Sequence, residues 1–486
     1  MMTRLAVFTA LSVLTATLGA QAPDRARPPQ AGPPPAVQLP AIQKRQLSNG
    51  LPVWLVEAHE VPVAQVNLVV LRGSADDPAG KFGLAALTAS MLLEGAGTRS
   101  SLDLADAVDF LGADLTATAG IDSAAVRLHV PVARLADALT LMADVALRPT
   151  FPTGELDRLR QERLTGILQA RDDPATINAT AFNRVLYGTS HRYGTPAIGT
   201  AQTIRSFTTD DLRAFYASAF QPSNAALLVV GDVTMEKALP LLESSFGGWK
   251  APGPAGTPAA LPAALPAAPA LAERTIYVVE KPGAPQSQIR IGWIGAARST
   301  PDYFPIQVMN TILGGSFSSR LNLNLRERNG YTYGASSGFD MRASAGPFVA
   351  AAGVQTDKTS EALTEFFNEL NAILKTVPDD ELRRAKNYVS LRYPSQFETT
   401  VDISRRLEDA IVYRLPDDYF AKYVPNIEAV TAADVQRVAQ KYVTPARFAV
   451  VITGDRQVIE PGIRALKLGP IKVMTVDEVF GPAPAP

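Results

Sequence analysis

Apolar and polar residues alternate with a period of two over Leu51 to Ala58 and again over Val63 to Arg72. That period predicts two half-buried strands, paired around a turn at His59-Glu60-Val61-Pro62. A helical apolar pattern follows from Lys81 to Glu94, and Ser101 to Leu111 reads as a capped amphipathic helix. Asp114 to Ala119 and Ala124 to Val132 return to the strand period, and Ala133 to Ala146 and Glu155 to Ala170 predict long helices. This succession predicts an α+β unit, an antiparallel sheet with its helices packed on one side.

The pattern then repeats. Thr208 with Asp211, Pro222, and an apolar strand run from Ala225 to Val230 closed by Gly231-Asp232 reappear as Thr431 with Asp434, Pro445, a run from Phe448 to Ile452 and Gly454-Asp455. The intervals 208 to 431, 211 to 434, 222 to 445 and 231 to 454 are all 223 residues. In physical terms the unit is a Thr helix cap with an acidic residue three positions on, a proline stop, and a buried strand ending in a Gly-Asp turn. Upstream, Pro152 with Glu155-Leu156 and Pro378 with Glu381-Leu382 match at 226 (378 less 152). The chain therefore reads as two homologous halves, 45–250 and 274–470, each an α+β unit. Between them 251–273 (APGPAGTPAALPAALPAAPALAE) is a linker by composition, a second Pro/Ala-rich stretch at 23–44 is a solvated lead-in, and 471–486 forms a tail.

At the start, Arg4 precedes an apolar run from Leu5 to Ala20, and Gly19-Ala20-Gln21-Ala22 has the small residues of a cleavage region. Residues 1–22 read as a secretory signal peptide, because the run falls short of the roughly 20 residues a membrane-crossing helix needs. The expected location is the periplasm, with no membrane span after signal removal. Lys+Arg (46) nearly balance Asp+Glu (47), which removes any electrostatic reason to expect nucleic acid as a partner. Cysteine is absent, so disulfides, thiol catalysis and Cys-ligated metals are excluded together.

Gly83 to Gly95 (GLAALTASMLLEG) resembles the active-site helix of the insulinase/pitrilysin family of metallopeptidases. Active members carry H-x-x-E-H there. Positions i, i+3 and i+4 share one helical face, so two imidazoles grip zinc while the Glu activates a water. The three positions here are Ala86, Ala89 and Ser90. The family's third ligand, a Glu eight residues before the proline of an Asp-Asp-Pro-like turn, aligns by counting back from Pro174 with Gly166. None of the four is a zinc ligand, so the resemblance implies a degenerate metal site with no catalytic residue of its own. The three histidines, His59, His129 and His191, do not lie at ligand spacing and read as structural, and Glu94 as capping or solvating the helix end.

The second half holds Ile312 to Leu321 (ILGGSFSSRL) and Leu325 to Gly334 (LRERNGYTYG). In the family this segment carries an Arg and a Tyr seven residues apart that bind substrate peptide. Arg326 and Tyr333 match that spacing, with Arg328 and Tyr331 as rivals. A guanidinium offers fixed donors to peptide carbonyls, and a phenol can donate to an oxygen on which charge develops. The plainer alternative is that Arg326 forms a surface ion pair and Tyr333 packs. Gly314-Gly315-Ser316 matches in position the glycine-rich loop of the non-catalytic subunit of mitochondrial processing peptidase, or reflects a backbone needing positive φ. No P-loop or G-x-G-x-x-G is present, which excludes nucleotide-enzyme readings. The resemblance thus implies halves joined into a clam-like shape and a substrate-binding subunit that pairs with a homologous zinc-bearing subunit, zinc being expected only in that partner and peptides as substrates. A catalytically silent scaffold of the same fold, like the core subunits of respiratory complexes, is the alternative.

Overall fold

A computed structural model describes residues 41–250, 265, 271 and 273–484. The signal peptide, most of the lead-in and nearly all of the linker lie outside the described residues. Each half is built on a six-stranded sheet. In the first, the strands are β1 (Gln43–Gln46), β2 (Pro52–Glu57), β3 (Val63–Val70), β4 (Asp114–Ala119), β5 (Ala124–Pro131) and β6 (Ala225–Gly231), in the order β1-β2-β6-β3-β5-β4.

The expected pairing of β2 with β3 does not occur, because β6 lies between them. It runs parallel to β2, with Val53 opposite Leu227, and antiparallel to β3, with Ala64 opposite Gly231. The segment after β2 crosses the end of β6 and is not a hairpin turn: Ala58 N–H donates to Gly231 O, and Asp232 N–H donates to Val63 O. Gly231 is required at this crossing, since a Cβ there would sit 2.3 Å from Val63 O. The physical reason is burial. All seven residues of β6 are buried, and such a strand gains most at the centre of a sheet covered on both faces.

The second half repeats the arrangement with β7 (Thr275–Glu280), β8 (Gln286–Ile294), β9 (Thr332–Phe339), β10 (Pro347–Gln355), β11 (Ala449–Gly454) and β12 (Ile471–Met474), ordered β9-β10-β8-β11-β7-β12. Here β11 is parallel to β7, and β7 to β12. The sheets are therefore mixed rather than antiparallel, because the last strand of each repeat returns through helices and can enter beside the first in parallel. Residues Ile471–Met474, within the predicted tail, supply the sixth strand. The repeated caps form as the sequence dictates: Thr208 accepts from Asp211 N–H ahead of the Thr209–Ala219 helix, and Thr431 from Asp434 N–H ahead of Ala432–Tyr442.

Each half keeps its own helices on one face of its sheet. Leu227 and Val229 of β6 point into that core, as do Val450 and Ile452 of β11. The opposite face is covered by a helix from the other half. Ile403, Leu407, Ala410 and Ile411 of the Thr400–Val412 helix pack on Val56, Val69, Ala226, Leu228 and Val230. Reciprocally, Ile177, Ala181 and Phe182 of the Pro174–Tyr187 helix pack on Val279, Ala449 and Val451. The two helices start 226 residues apart (400 less 174), so the exchange follows the repeat.

Polar groups fix both docks. Glu408 accepts from Arg127 Nε at 2.8 Å and Nη2 at 2.7 Å, and from Asn67 Nδ2 at 2.5 Å. Asn178 Nδ2 donates to Gln288 O and Val451 O, each at 3.0 Å. Breaking either dock would strip a central strand of half its cover, so the halves stabilise one another through more than the linker.

Candidate functional site

The helix that would carry a zinc motif spans Leu84–Met91, shorter at both ends than its apolar pattern predicts. Its start is set by Gly83 at φ 105°, where a Cβ would lie 2.5 Å from Ile198 O. Asp77 serves as a distant cap: Oδ2 accepts from Gly83 N–H and Oδ1 from Ala85 N–H, both at 2.7 Å. The carboxylate is paired with Arg192 Nε at 3.0 Å, with side chains 0% and 3% exposed. Arg192 in turn donates to the carbonyls of Ser74, Thr195, Pro196 and Ala197. Glu94 lies beyond the helix and pairs with Arg158 Nη2 at 2.6 Å, so it fixes the neighbouring Thr153–Ala170 helix instead of capping its own.

On this helix Ala86 and Ser90 are half-buried, while Ala89 is buried. Gly166 is half-buried on the Thr153–Ala170 helix, with open space where a Cβ would stand. Arg163, one residue short of a full turn before Gly166, reaches across: its Nη2 donates to Ala86 O at 2.8 Å and to Ser90 Oγ at 2.9 Å. Ser90 Oγ itself donates to Ala86 O at 3.1 Å. Nη1 of Arg163 is buried without a partner, and burial pushes the guanidinium down to about 10. Arg163 went unnoticed in the sequence; an arginine three positions before Gly166, opposite two small residues, was its only local sign.

Two methyl groups, a hydroxyl and a glycine offer no ligand set for zinc, so these residues do not fit the metal that H-x-x-E-H would hold. Among the described residues no three His, Asp or Glu side chains come together in a way that could hold a metal ion. His59 is spread between Asp232 (Nδ1, 2.7 Å) and Glu57 (Nε2, 3.0 Å), which raise its pKa. His129 Nδ1 contacts Gln65 Oε1 at 3.2 Å, and His191 accepts from Tyr193 N–H while stacking on Tyr187.

Arg326 lies in a π-helical turn, Leu323–Arg328, that leads directly into β9. Tyr331 N–H donates back to Leu325 O, folding the start of the strand onto the turn. The guanidinium of Arg326 stacks over the exposed Phe317 ring at 4.6 Å and is 3.3 Å from Glu327. Tyr333 sits in a bulge where the β9–β10 register jumps between Thr332 and Ala335, pinned by Thr332 Oγ1 donating to Gly353 O. Its side chain is 90% exposed, on the edge strand of the sheet. A tyrosine held there contributes nothing to a core, whereas Tyr331 packs partly against one and Arg328 points to solvent. The Gly314 turn has φ of −157°, so positive φ is not its purpose. A Cβ there would lie 2.2 Å from Ser337 N, and Ser337 N–H donates to Gly314 O, so glycine permits close approach to β9.

Two mixed sheets with exchanged helices, an inverted-motif helix without ligands, and an Arg/Tyr edge define a metallopeptidase-type fold in two repeated halves. The family profile "Insulinase (Peptidase family M16)" matches residues 53–189, and "Peptidase M16 inactive domain" matches 206–389. An uncharacterized zinc protease of Streptomyces coelicolor is 26% identical over 412 residues, 82% of this chain and 86% of that protein. One from Mycobacterium leprae is 28% identical over 301 residues, 62% of this chain and 66% of its own. Among solved structures, a peptidase M16 inactive domain from Pseudomonas fluorescens superposes with TM-score 0.76 at 28% identity, covering 85% of this chain and 98% of that one. A Helicobacter pylori protease gives 0.78 at 22% identity over 85% and 100%. The chain belongs to the M16 insulinase peptidase family.

Proposed function

We propose that this M16 protein is the non-catalytic, substrate-binding subunit of a heteromeric zinc metallopeptidase that degrades peptides, exported to the periplasm and paired with a homologous zinc-bearing chain. One observation carries the reading. The face that would hold the metal presents Ala86 and Ser90 to a guanidinium, while Tyr333 stands exposed at a bulged edge strand and Arg326 lies half-buried in the turn before it. An exposed tyrosine and a partly exposed guanidinium suit a bound peptide, whose carbonyls can take their hydrogen bonds. Hydrolysis is then left to the partner, which supplies the metal. Among the described residues no helix is long and apolar enough to cross a membrane.

The test is Arg326→Ala in a mixture of this chain with the zinc-bearing homologue of its native host. Peptide turnover falls by about tenfold or more, the loss of one or two charge-assisted hydrogen bonds, while the complex still assembles. Unchanged kinetics would return Arg326 to a surface ion pair with Glu327 and favour a silent scaffold.

A further inference from the structure

The three lost ligand positions lie on two helices that remain tied together. Ligands at 86 and 90 on one helix and at 166 on another would let a metal tie the Leu84–Met91 helix to the Thr153–Ala170 helix. Arg163 ties the same two helices at the same place, through Ala86 O and Ser90 Oγ.

We propose that Arg163 is the resident cation of a converted metal site, bridging the two helices where zinc would bridge them and barring divalent ions from the face formed by Ala86, Ser90 and Gly166. Three observations support it beyond position. The guanidinium makes no ion pair at contact distance with any carboxylate among the described residues, the adjacent Glu162 acting on it only through space. Nη1 is buried with no partner, the residue of a fit imposed by the two contacts of Nη2. The residues at 86, 90 and 166 are small, and a Cβ at Gly166 would meet nothing within 4 Å, so none of these three side chains competes with the guanidinium for the site. A zinc ion held 2.0–2.1 Å from imidazoles at 86 and 90 would lie within a few ångströms of that guanidinium, and like charges at such range in a half-buried site repel strongly.

Simple ligand restoration therefore fails. A chain carrying Ala86→His, Ser90→His and Gly166→Glu, with Arg163 kept, is expected to bind zinc about a hundredfold or more weakly than the same chain with Arg163→Ala added. Metal content after dialysis and the zinc-dependent rise in melting temperature both read this, and only the variant lacking Arg163 gains them. Equal zinc retention with and without Arg163 overturns the proposal.

A milder probe covers the case in which triple substitution prevents folding. In the otherwise native chain, the imidazole introduced by Ser90→His should titrate at least about one unit below the usual 6.5 while Arg163 is present, and move back up when Arg163→Met is added. Identical titration in the two backgrounds places the guanidinium too far away to act on a metal, and the proposal fails. Neither measurement involves a partner subunit or a peptide, so its outcome is independent of the proposed function.

Discussion

Asp77→Asn removes one charge and little volume from the base of the helix that bears the degenerate site. In the native chain Asp77 and Arg192 are 0% and 3% exposed, so the substitution leaves a guanidinium buried without its counter-ion. Removing one member of a buried ion pair generally costs about 3–5 kcal/mol. Arg192 keeps four carbonyl acceptors, from Ser74, Thr195, Pro196 and Ala197, and the amide oxygen of Asn can still accept from Gly83 or Ala85 N–H. Both features place the loss at the low end, about 3 kcal/mol. Urea unfolding followed by far-ultraviolet circular dichroism measures it. Adding Arg192→Met should recover part of the loss, since the double variant has no unpaired buried charge. A loss under about 1 kcal/mol, or a double variant less stable than the two single losses summed, would refute the view that this pair anchors the helix.

Other expectations follow from the same contacts. Burial raises the Asp302 carboxyl, but hydrogen bonds from Lys441, Arg437 and Tyr442 outweigh it and hold it down to about 2. A depressed carboxyl stabilises the fold above its unfolded value near 3.8 and loses that contribution as pH falls toward 2. With both cations about half exposed the contribution is about 1–2 kcal/mol. Asp302→Asn should flatten this acid limb in a series of urea midpoints, and an unchanged limb would contradict the assignment. Leu407→Ala, at a side chain only 3% exposed in the exchanged-helix dock, should cost about 2–5 kcal/mol by denaturation; a negligible loss would mean the dock is not needed. Tyr333→Ala should leave stability within about 0.5 kcal/mol, because the ring is 90% exposed, yet weaken peptide binding by fluorescence anisotropy. Loss of stability there would give Tyr333 a packing role.

Much of the fold was legible because it is written locally. Thr208 and Thr431 announce their helices through a residue three positions away, and β6 and β11 announce burial through unbroken apolar runs. Other features depend on residues far apart in sequence. β2 and β3 form as strands where the pattern places them, but β3 is buried on both faces instead of one, and nothing between residues 51 and 72 signals that a strand starting at Ala225 will come between them. The exchange of the Pro174–Tyr187 and Thr400–Val412 helices is likewise invisible to periodicity, which says that a face is apolar and not which sheet it meets.

The site divides in the same way. Ala86, Ala89, Ser90 and Gly166 are assigned by counting along the chain, as are Arg326 and Tyr333. The bulge that exposes Tyr333, the Phe317 ring beneath Arg326, and the reach of Arg163 to Ala86 and Ser90 arise from packing between segments. Counting finds what was lost from a motif. Only the arrangement of neighbouring helices shows what took its place.

The division of labour itself is tested most directly by purifying this chain and the zinc-bearing homologue from the native host separately and together, then measuring zinc content and peptide hydrolysis in each. No hydrolysis and no stoichiometric zinc are expected for this chain alone, with activity appearing when the two are mixed. Tightly bound zinc in a one-to-one ratio with the isolated chain, or peptide hydrolysis without any partner, would contradict it.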